Sequence, residues 1–506
     1  MVLALLRQEL VDSPYVADFV MYLYFLSLLI LFTFGAHGFV MVYHYLKQKN
    51  RRKANPVLKS EPSVTVQLPI FNELYVVQRI IDAVCRLDYP KEKLEIQVLD
   101  DSTDETVSVV EDAVTHYQGL GFDIKHVRRP DRRGFKAGAL KHGLSTARGD
   151  FIAIFDADFV PRREFLKKTL PYFQDPKVGL VQTRWEHLNS EYSILTRTQA
   201  MALDGHFVVE QAVRNRAGFF INFNGTGGIW RKACIEDAGN WHEDTLTEDL
   251  DLSYRAQLRG WKFRYLEDFT SPAELPAELN ALKTQQFRWT KGAIETAKKM
   301  LPKVWKSDIP IRVKIHSTFH LTNNIVFPFI LLAGLLNVPL VFIKQRGGHE
   351  LYFAIMSVFV LAFIGSFLFY LVSQKAVYSD WRRRLLLFPL FMAGSMGFAV
   401  NNSKAVFEAL FRHKSDFVRT PKYKIEVKTD AWLGKKYVPV SFDWVAVAEI
   451  ALAVYCLFGV VSSLYFLEIA AVPFQLLYFA GFAFVSLLSI RHALAARKLR
   501  QQGKSA

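Results

Sequence analysis

Apolar residues follow two rhythms along this chain. From Ala17 to Tyr45 nearly every position is apolar, and residues 18 to 44 form an uninterrupted run about long enough to cross a bilayer core of roughly 30 Å. Residues 319 to 343, 351 to 372, 444 to 466 and 469 to 490 repeat that rhythm. The first run has neither a basic n-region nor a small-residue cleavage site, so it predicts a retained anchor. Each of these four later runs holds few charges, and Glu449 is the one clear ionisable exception. An intramembrane carboxylate is a candidate pathway residue, and a glutamate near the interface is the alternative. The run from Leu385 to Val400 is shorter and is interrupted by Pro389. If it crossed, the basic loop from Arg412 to Lys436 and the basic C-terminus would both lie outside. Five crossings with an interfacial helix near 385 to 411 keep them in the cytosol.

Between the first and second runs, residues 61 to about 300 change period. SVTVQLPIF precedes a helical stretch from Glu73 to Arg86, and LEIQVLDDS precedes one from Glu105 to His116. DIKHVRR is followed by a helical stretch near 135 to 147 and then by DFIAIFDAD. Short buried-type strands alternating with helices predict a parallel, Rossmann-like α/β sheet. Ligands bind such sheets beyond the carboxyl ends of the strands.

Composition narrows this picture. The chain has 506 residues, 51% hydrophobic, with a net charge of +15. Such a charge suits nucleic acid, anionic lipid or phosphorylated substrates. Its placement decides against nucleic acid, because the clusters Lys47 to Lys53, Arg382 to Arg384 and Arg491 to Lys504 flank the apolar runs, as the positive-inside rule requires. Cys85, Cys234 and Cys456 share no CxxC spacing, which predicts reduced thiols on a cytosolic face.

Acidic clusters fall at the predicted strand ends. In LDDSTD, Asp100 and Asp101 suit either a turn or a carboxylate that accepts hydrogen bonds from a nucleotide base. In FIAIFDADFVP, Asp156 and Asp158 end a strongly apolar strand, where a hard divalent cation such as Mg2+ or Mn2+ would compensate them. In TLTEDLDLSYRAQLRGWK, Thr247 reads as an N-cap, with Glu248, Asp249 and Asp251 in the first helical turn. Acids there suit the helix dipole, but this turn follows the glycine-rich NFNGTGGIW, so one carboxylate is a candidate general base. Lys136 in RRGFKAGAL is a candidate phosphate contact or part of a solvated basic face. The P-loop pattern is absent.

In order, QLPIFNE, QVLDDSTDET, GFKAGAL, AIFDADFVP, VQTRWEHLN, FNGTGGIWR, TEDLDLSYRAQLRGWK and QQFRWTKG resemble family 2 glycosyltransferases of the cellulose synthase superfamily. The likeness is nearest to the plant cellulose-synthase-like enzymes that make mannan, glucomannan and xyloglucan backbones, and to their bacterial relatives. DFVRTPKYK resembles the FxVTxKG gating loop of bacterial cellulose synthase. Phe417, Thr420 and Lys422 match it, whereas Arg419 stands in place of valine and no glycine follows.

That resemblance implies a GT-A domain with a mixed sheet and a nucleoside-diphosphate sugar donor. It implies that Asp101 recognises the base, that Lys136 meets the diphosphate, that Asp158 helped by Asp156 holds Mg2+ or Mn2+, and that Asp249 is the base. Gln285, Arg288 and Trp289 would form the Q(Q/R)xRW motif, with the acceptor on Trp289 and the donor diphosphate on Arg288. The expected organisation is an anchor over 1–53, a cytosolic catalytic domain over 54–300, and a membrane region over 301–506 with a gating-like loop near 412–436. The expected activity is inverting transfer from UDP-glucose or GDP-mannose to a β-linked glucan or mannan with coupled translocation, in a bacterial inner or plasma membrane. Transfer of one sugar to a membrane lipid is the alternative, and a transporter with a degenerate sugar site is a third reading. No cyclic-di-nucleotide receptor module is expected after the last run, and protein partners are not legible.

Overall fold

The structure, a computed structural model, describes residues 14–48, 56–413, 418–438 and 444–501. The basic residues Lys49 to Lys53 and Lys504 lie outside them. The two rhythms become two layers. A seven-stranded sheet runs in the order β3-β2-β1-β4-β6-β5-β7. Its strands are β1 (Val64–Ile70), β2 (Leu94–Asp100), β3 (Asp123–Val127), β4 (Phe151–Ile154), β5 (Val178–His187), β6 (Gly228–Arg231) and β7 (Lys262–Ala273). The four strands read from the sequence pair in parallel. β1, β2 and β4 are buried on both faces, with the polar side chains that alternate along β1 and β2 bonded to one another, Thr65 to Glu95 at 2.7 Å and Gln67 to Gln97 at 3.0 Å, while β3 is a half-buried edge strand.

The sheet is mixed, as the family resemblance implied and the strand-helix alternation alone did not. β6 is antiparallel to both β4 and β5. The helix expected from Glu73 begins instead at Val77. Asn72 takes a positive φ of 54°, and the Glu73 carbonyl accepts from the amides of Val76 and Val77 at 3.1 and 3.0 Å, so a turn takes up the first residues. That turn frees the Glu73 side chain to face the strand ends.

Both faces of the sheet are covered. On one face Val66, Leu68, Ile96 and Val98 pack with Ile80, Ile81, Val84, Val110 and Val114. On the other, Ile152, Ile154, Leu180 and Trp230 pack with Leu140, Leu144, Val213 and Leu252, and the same core contains Met41, Tyr45 and Phe369 from long apolar helices. Among the described residues five helices are long and apolar enough to cross a membrane: Pro14–Gln48, Ile311–Gln345, Glu350–Val377, Trp444–Tyr465 and Val472–Lys498. The expected interfacial segment is a pair, Trp381–Gly397 and Ala399–Leu410, bent by 44°. All three cysteines are buried and free.

Candidate active site

β1 and β4 are neighbours, but the chain leaves β1 for β2 on one side of it and reaches β4 on the other. Beyond the carboxyl ends of strands at such a switch point a crevice opens. Here the crevice is a cavity of about 160 Å3, lined by Glu73, Asp101, Lys136, Asp156, Asp158, Glu248, Asp249, Gln285, Arg288, Trp289, Thr420 and Lys422, among others. Every site residue implied by the family resemblance therefore meets in one place, except Phe417, which lies outside the described residues.

The paired acids of LDDSTD divide the two readings between them. Asp100 is the turn residue: it is 1% exposed, its Oδ1 accepts from the Ser102 amide at 2.8 Å, and its Oδ2 faces His126 Nε2 at 2.8 Å. Asp101 lines the cavity, and Arg129 grips it through two bonds of 2.7 and 2.5 Å. At the end of β4, Asp156 accepts from Lys136 Nζ at 2.6 Å. The buried Asp158 Oδ1 accepts no well-aligned hydrogen bond and has the Lys422 ammonium at 3.1 Å. Two hard oxygen donors with an under-satisfied buried oxygen between ammonium groups fit a divalent cation. A second grouping, His242, Asp244 and Asp251, has ligand atoms within 4.8 Å of one another. There Lys299 Nζ lies 2.7 Å from Asp244 and 2.9 Å from Asp251.

The acidic turn sits on the helix Glu248–Leu258. Thr247 does occupy its N-cap position, but its side chain caps nothing and bonds Thr296 Oγ1 at 3.1 Å, which corrects the expected cap. That bond draws in the helix Leu279–Lys306, which carries Gln285, Arg288 and Trp289. The approach requires Gly292, where a Cβ would stand 2.6 Å from the Thr247 methyl and 2.9 Å from its amide nitrogen. Gly225, at φ +78°, lets the NFNGTGG loop pass under Asp249, since a Cβ there would meet Asp249 Oδ2 at 3.0 Å. Its carbonyl accepts from Lys136 at 2.8 Å.

Burial, with the neighbouring Glu248 carboxylate next, raises the Asp249 pKa to about 7, against the opposing pull of Lys136. Burial works to lower Lys136, but Asp156 and Glu248 outweigh it and hold the ammonium above its ordinary value. Asp251 has no catalytic geometry: it is fully buried and bonded to Arg255 at 2.8 Å and Lys299 at 2.9 Å.

The segment 418–438 straps the cavity. The Val418 carbonyl accepts from Arg288 Nη1 at 3.3 Å, and Arg419, the departure from the family's valine, meets Glu73 at 2.9 Å. The Tyr423 amide donates to Glu274 Oε1 at 3.0 Å, and Tyr437 reaches Asp104. Sequence reading quoted QLPIFNE but assigned Glu73 no part. Arg129 and His187, a cavity residue whose Nε2 lies 3.2 Å from Asp204 Oδ1, likewise have no role assigned from the sequence. The one available signal was the cluster HVRRPDRRGFK beside acidic strand ends.

Residues 62–292 match the model described as glycosyltransferase like family 2. Glucomannan 4-beta-mannosyltransferase 9 of Arabidopsis thaliana is 36% identical over 417 residues, covering 78% of this chain and 75% of that one. The probable glucomannan 4-beta-mannosyltransferase 4 of Oryza sativa subsp. japonica is 43% identical over 277 residues, so against this relative the chain spans 50% of the other's length. A mannosyltransferase from Pyrobaculum calidifontis, solved in complex with GDP-Man and Mn2+, matches with a TM-score of 0.53 at 19% identity, covering 77% of this chain and 100% of that one. That likeness is one of fold, GT-A. Together with the ordered motifs and the relative matched over three quarters of its length, these comparisons mean that the chain belongs to family 2 of the glycosyltransferases, in the cellulose synthase superfamily.

Proposed function

We propose that this cavity transfers mannose, with inversion, from a nucleoside-diphosphate donor to the end of a β-linked glycan. The observation that carries the reading is the convergence of Asp249, Lys136, the Asp156/Asp158 pair and the Arg288/Trp289 helix on one crevice. The names of the relatives supply the sugar and the linkage class. GDP-mannose is the proposed donor, with UDP-glucose the second donor to test.

Each residue has one task in the proposed reaction. Asp101 reads the base and Lys136 and Arg288 face the diphosphate, where their charges stabilise the leaving group as it gains negative charge. Asp158 and Asp156 would hold Mg2+ or Mn2+, which when bound supplies further neutralisation of that diphosphate. Trp289 offers a face to the acceptor sugar, beside Gln285. Asp249 removes the proton from the attacking hydroxyl, and a carboxyl held near 7 suits a base working at neutral pH. A single displacement turns an α-linked donor into a β-glycoside. Thr420 and Lys422 belong to the segment that straps the donor side of the cavity, and Phe417 is assigned to the same motif by sequence resemblance alone.

Product passage is part of the proposal. Gln285 and Trp289 also line a second cavity of about 120 Å3, and Ser395 is common to that cavity and to one of about 560 Å3 among the long apolar helices. A multi-pass protein with its catalytic face in the cytosol, organised as 1–53, 54–300 and 301–506, completes the reading. The relatives named are from plants and lend no support to a bacterial membrane. The test offers radiolabelled GDP-mannose and UDP-glucose to the full chain in inside-out vesicles, followed by linkage-specific glycanases. Labelled polymer that β-mannanase digests is expected. Label confined to lipid would replace the polymer reading with single transfer, and no incorporation from either donor would end it.

A further inference from the structure

The helix bearing Gln285, Arg288 and Trp289 begins inside the membrane-facing layer. Lys283, two residues before Gln285, donates to Glu449 Oε2 at 2.7 Å, with the two side chains 9% and 0% exposed. Glu449 belongs to the long apolar helix Trp444–Tyr465. The same turn is held at two more points. Asn401, from the bent pair, donates to the Lys283 carbonyl at 3.1 Å. Glu278 caps the helix through the amides of Asn280 and Ala281 and faces His492 of the last apolar helix at 3.4 Å.

A buried ion pair is a poor way to gain stability, because removing two charges from water costs about as much as their attraction returns. In an apolar layer the cost is higher, and ionisable residues there usually serve function. Helical geometry indicates what this pair does. Gln285, Arg288 and Trp289 are spaced i, i+3, i+4 and share a face. Lys283 lies about 200° around the axis from Gln285, on the back of the helix. A bond fixed at the back sets the rotation of the helix, and therefore where the front points.

We propose that Lys283 and Glu449 are positioning residues that fix the rotational setting of this helix, so that Trp289 keeps its face to the acceptor between additions. The inference rests on the acceptor role given above to Trp289. It separates two quantities: the donor is held by Lys136 and the strand-end acids as well as by Arg288, whereas the acceptor depends on this helix alone, so the pair bears more on holding the growing chain than on donor chemistry.

The test uses the full chain in nanodiscs with Lys283→Met, Glu449→Gln, and Lys283→Glu combined with Glu449→Lys. Product length, acceptor KM and donor hydrolysis are measured together with thermal stability. Each single change should raise acceptor KM and shorten product by about tenfold, with a smaller fall in donor hydrolysis, about threefold, transmitted through Arg288. The reversed pair should restore length. Glu449→Asp, which keeps the charge on a shorter arm, should fall between, and it stands in if the reversed pair does not fold. Unchanged product length in both single variants overturns the proposal. So does a proportional fall of length and hydrolysis in the single and Asp variants. Trp289→Ala, run in parallel, tests the underlying reading: if it leaves product length intact, the acceptor assignment fails whatever the pair variants do.

Discussion

The two sides of the cavity are built by different means. On the donor side each carboxylate at a strand end faces a cation: Asp101 with Arg129, Asp156 with Lys136, Asp158 with Lys422 and Glu73 with Arg419. On the acceptor side Gln285 and Trp289 are half-buried on one helix, whose placement comes from Gly292 against Thr247 and from membrane-layer residues behind it. A side built from charge pairs is preset for an anionic, metal-bearing ligand, because that ligand exchanges one set of ionic partners for another. A side built from packing is preset for a neutral sugar that has no charge to offer. Damage on the donor side should therefore impair all turnover, and damage on the acceptor side should impair transfer alone.

The largest effect is expected at the junction. Asp249→Asn removes the base while keeping the shape, so transfer should fall by about a thousandfold, with donor affinity within a few-fold by titration calorimetry. Near-normal turnover would remove Asp249 from its role. Next comes Asp158→Asn, expected to cut both hydrolysis and transfer by about a hundredfold and to abolish the response to Mn2+ added back after EDTA treatment. If the wild-type chain turned over fully in EDTA, the proposed cation would have no place.

Trp289→Ala belongs to the packed side. It should lower chain extension by about tenfold, equivalent to about 1.4 kcal/mol of lost ring contact, while donor hydrolysis stays within about twofold. Equal loss of both activities would erase the distinction between the sides. The smallest effect is a shift in pH dependence. Asp249 must be ionised to act, and its pKa is raised to about 7, so the rate should fall as pH drops through 7. Glu248→Gln deletes the adjacent charge that helps raise it, so the acid limb should move to lower pH. A limb that stays fixed would mean that another group controls it.

How much of this was legible in the sequence follows from the range of the interactions. β1 to β4 are legible as strand-length stretches alternating with helical ones, and the acids at their ends stand where a doubly wound sheet puts ligands. β6 is only four residues, GIWR, and reads as the tail of a glycine-rich loop. β7 is twelve residues whose pairing with β5 slips at Thr183/Arg184, so no clean period marks it. The mixed sheet was therefore reached through resemblance and not through pattern. Thr247 looked like a cap because local spacing allowed it, and only the approach of Thr296 reassigns its hydroxyl. Glu449 was conspicuous alone, but its partner lies 166 residues away, a distance over which spacing carries no information.

The shared core on the back of the sheet has a practical consequence. Met41, Tyr45 and Phe369 are buried with Leu99, Ile152, Leu180 and Trp230, so the sheet and the long apolar helices are sealed by common side chains. There is no clean seam along which a water-soluble fragment can be cut. Trimming the chain to its strands would leave a raw apolar wound on that face, prone to stick to other copies. Preparations meant for crystals or screening should begin from the intact chain, with a detergent or nanodisc chosen to shelter Pro14–Gln48 and Glu350–Val377 together.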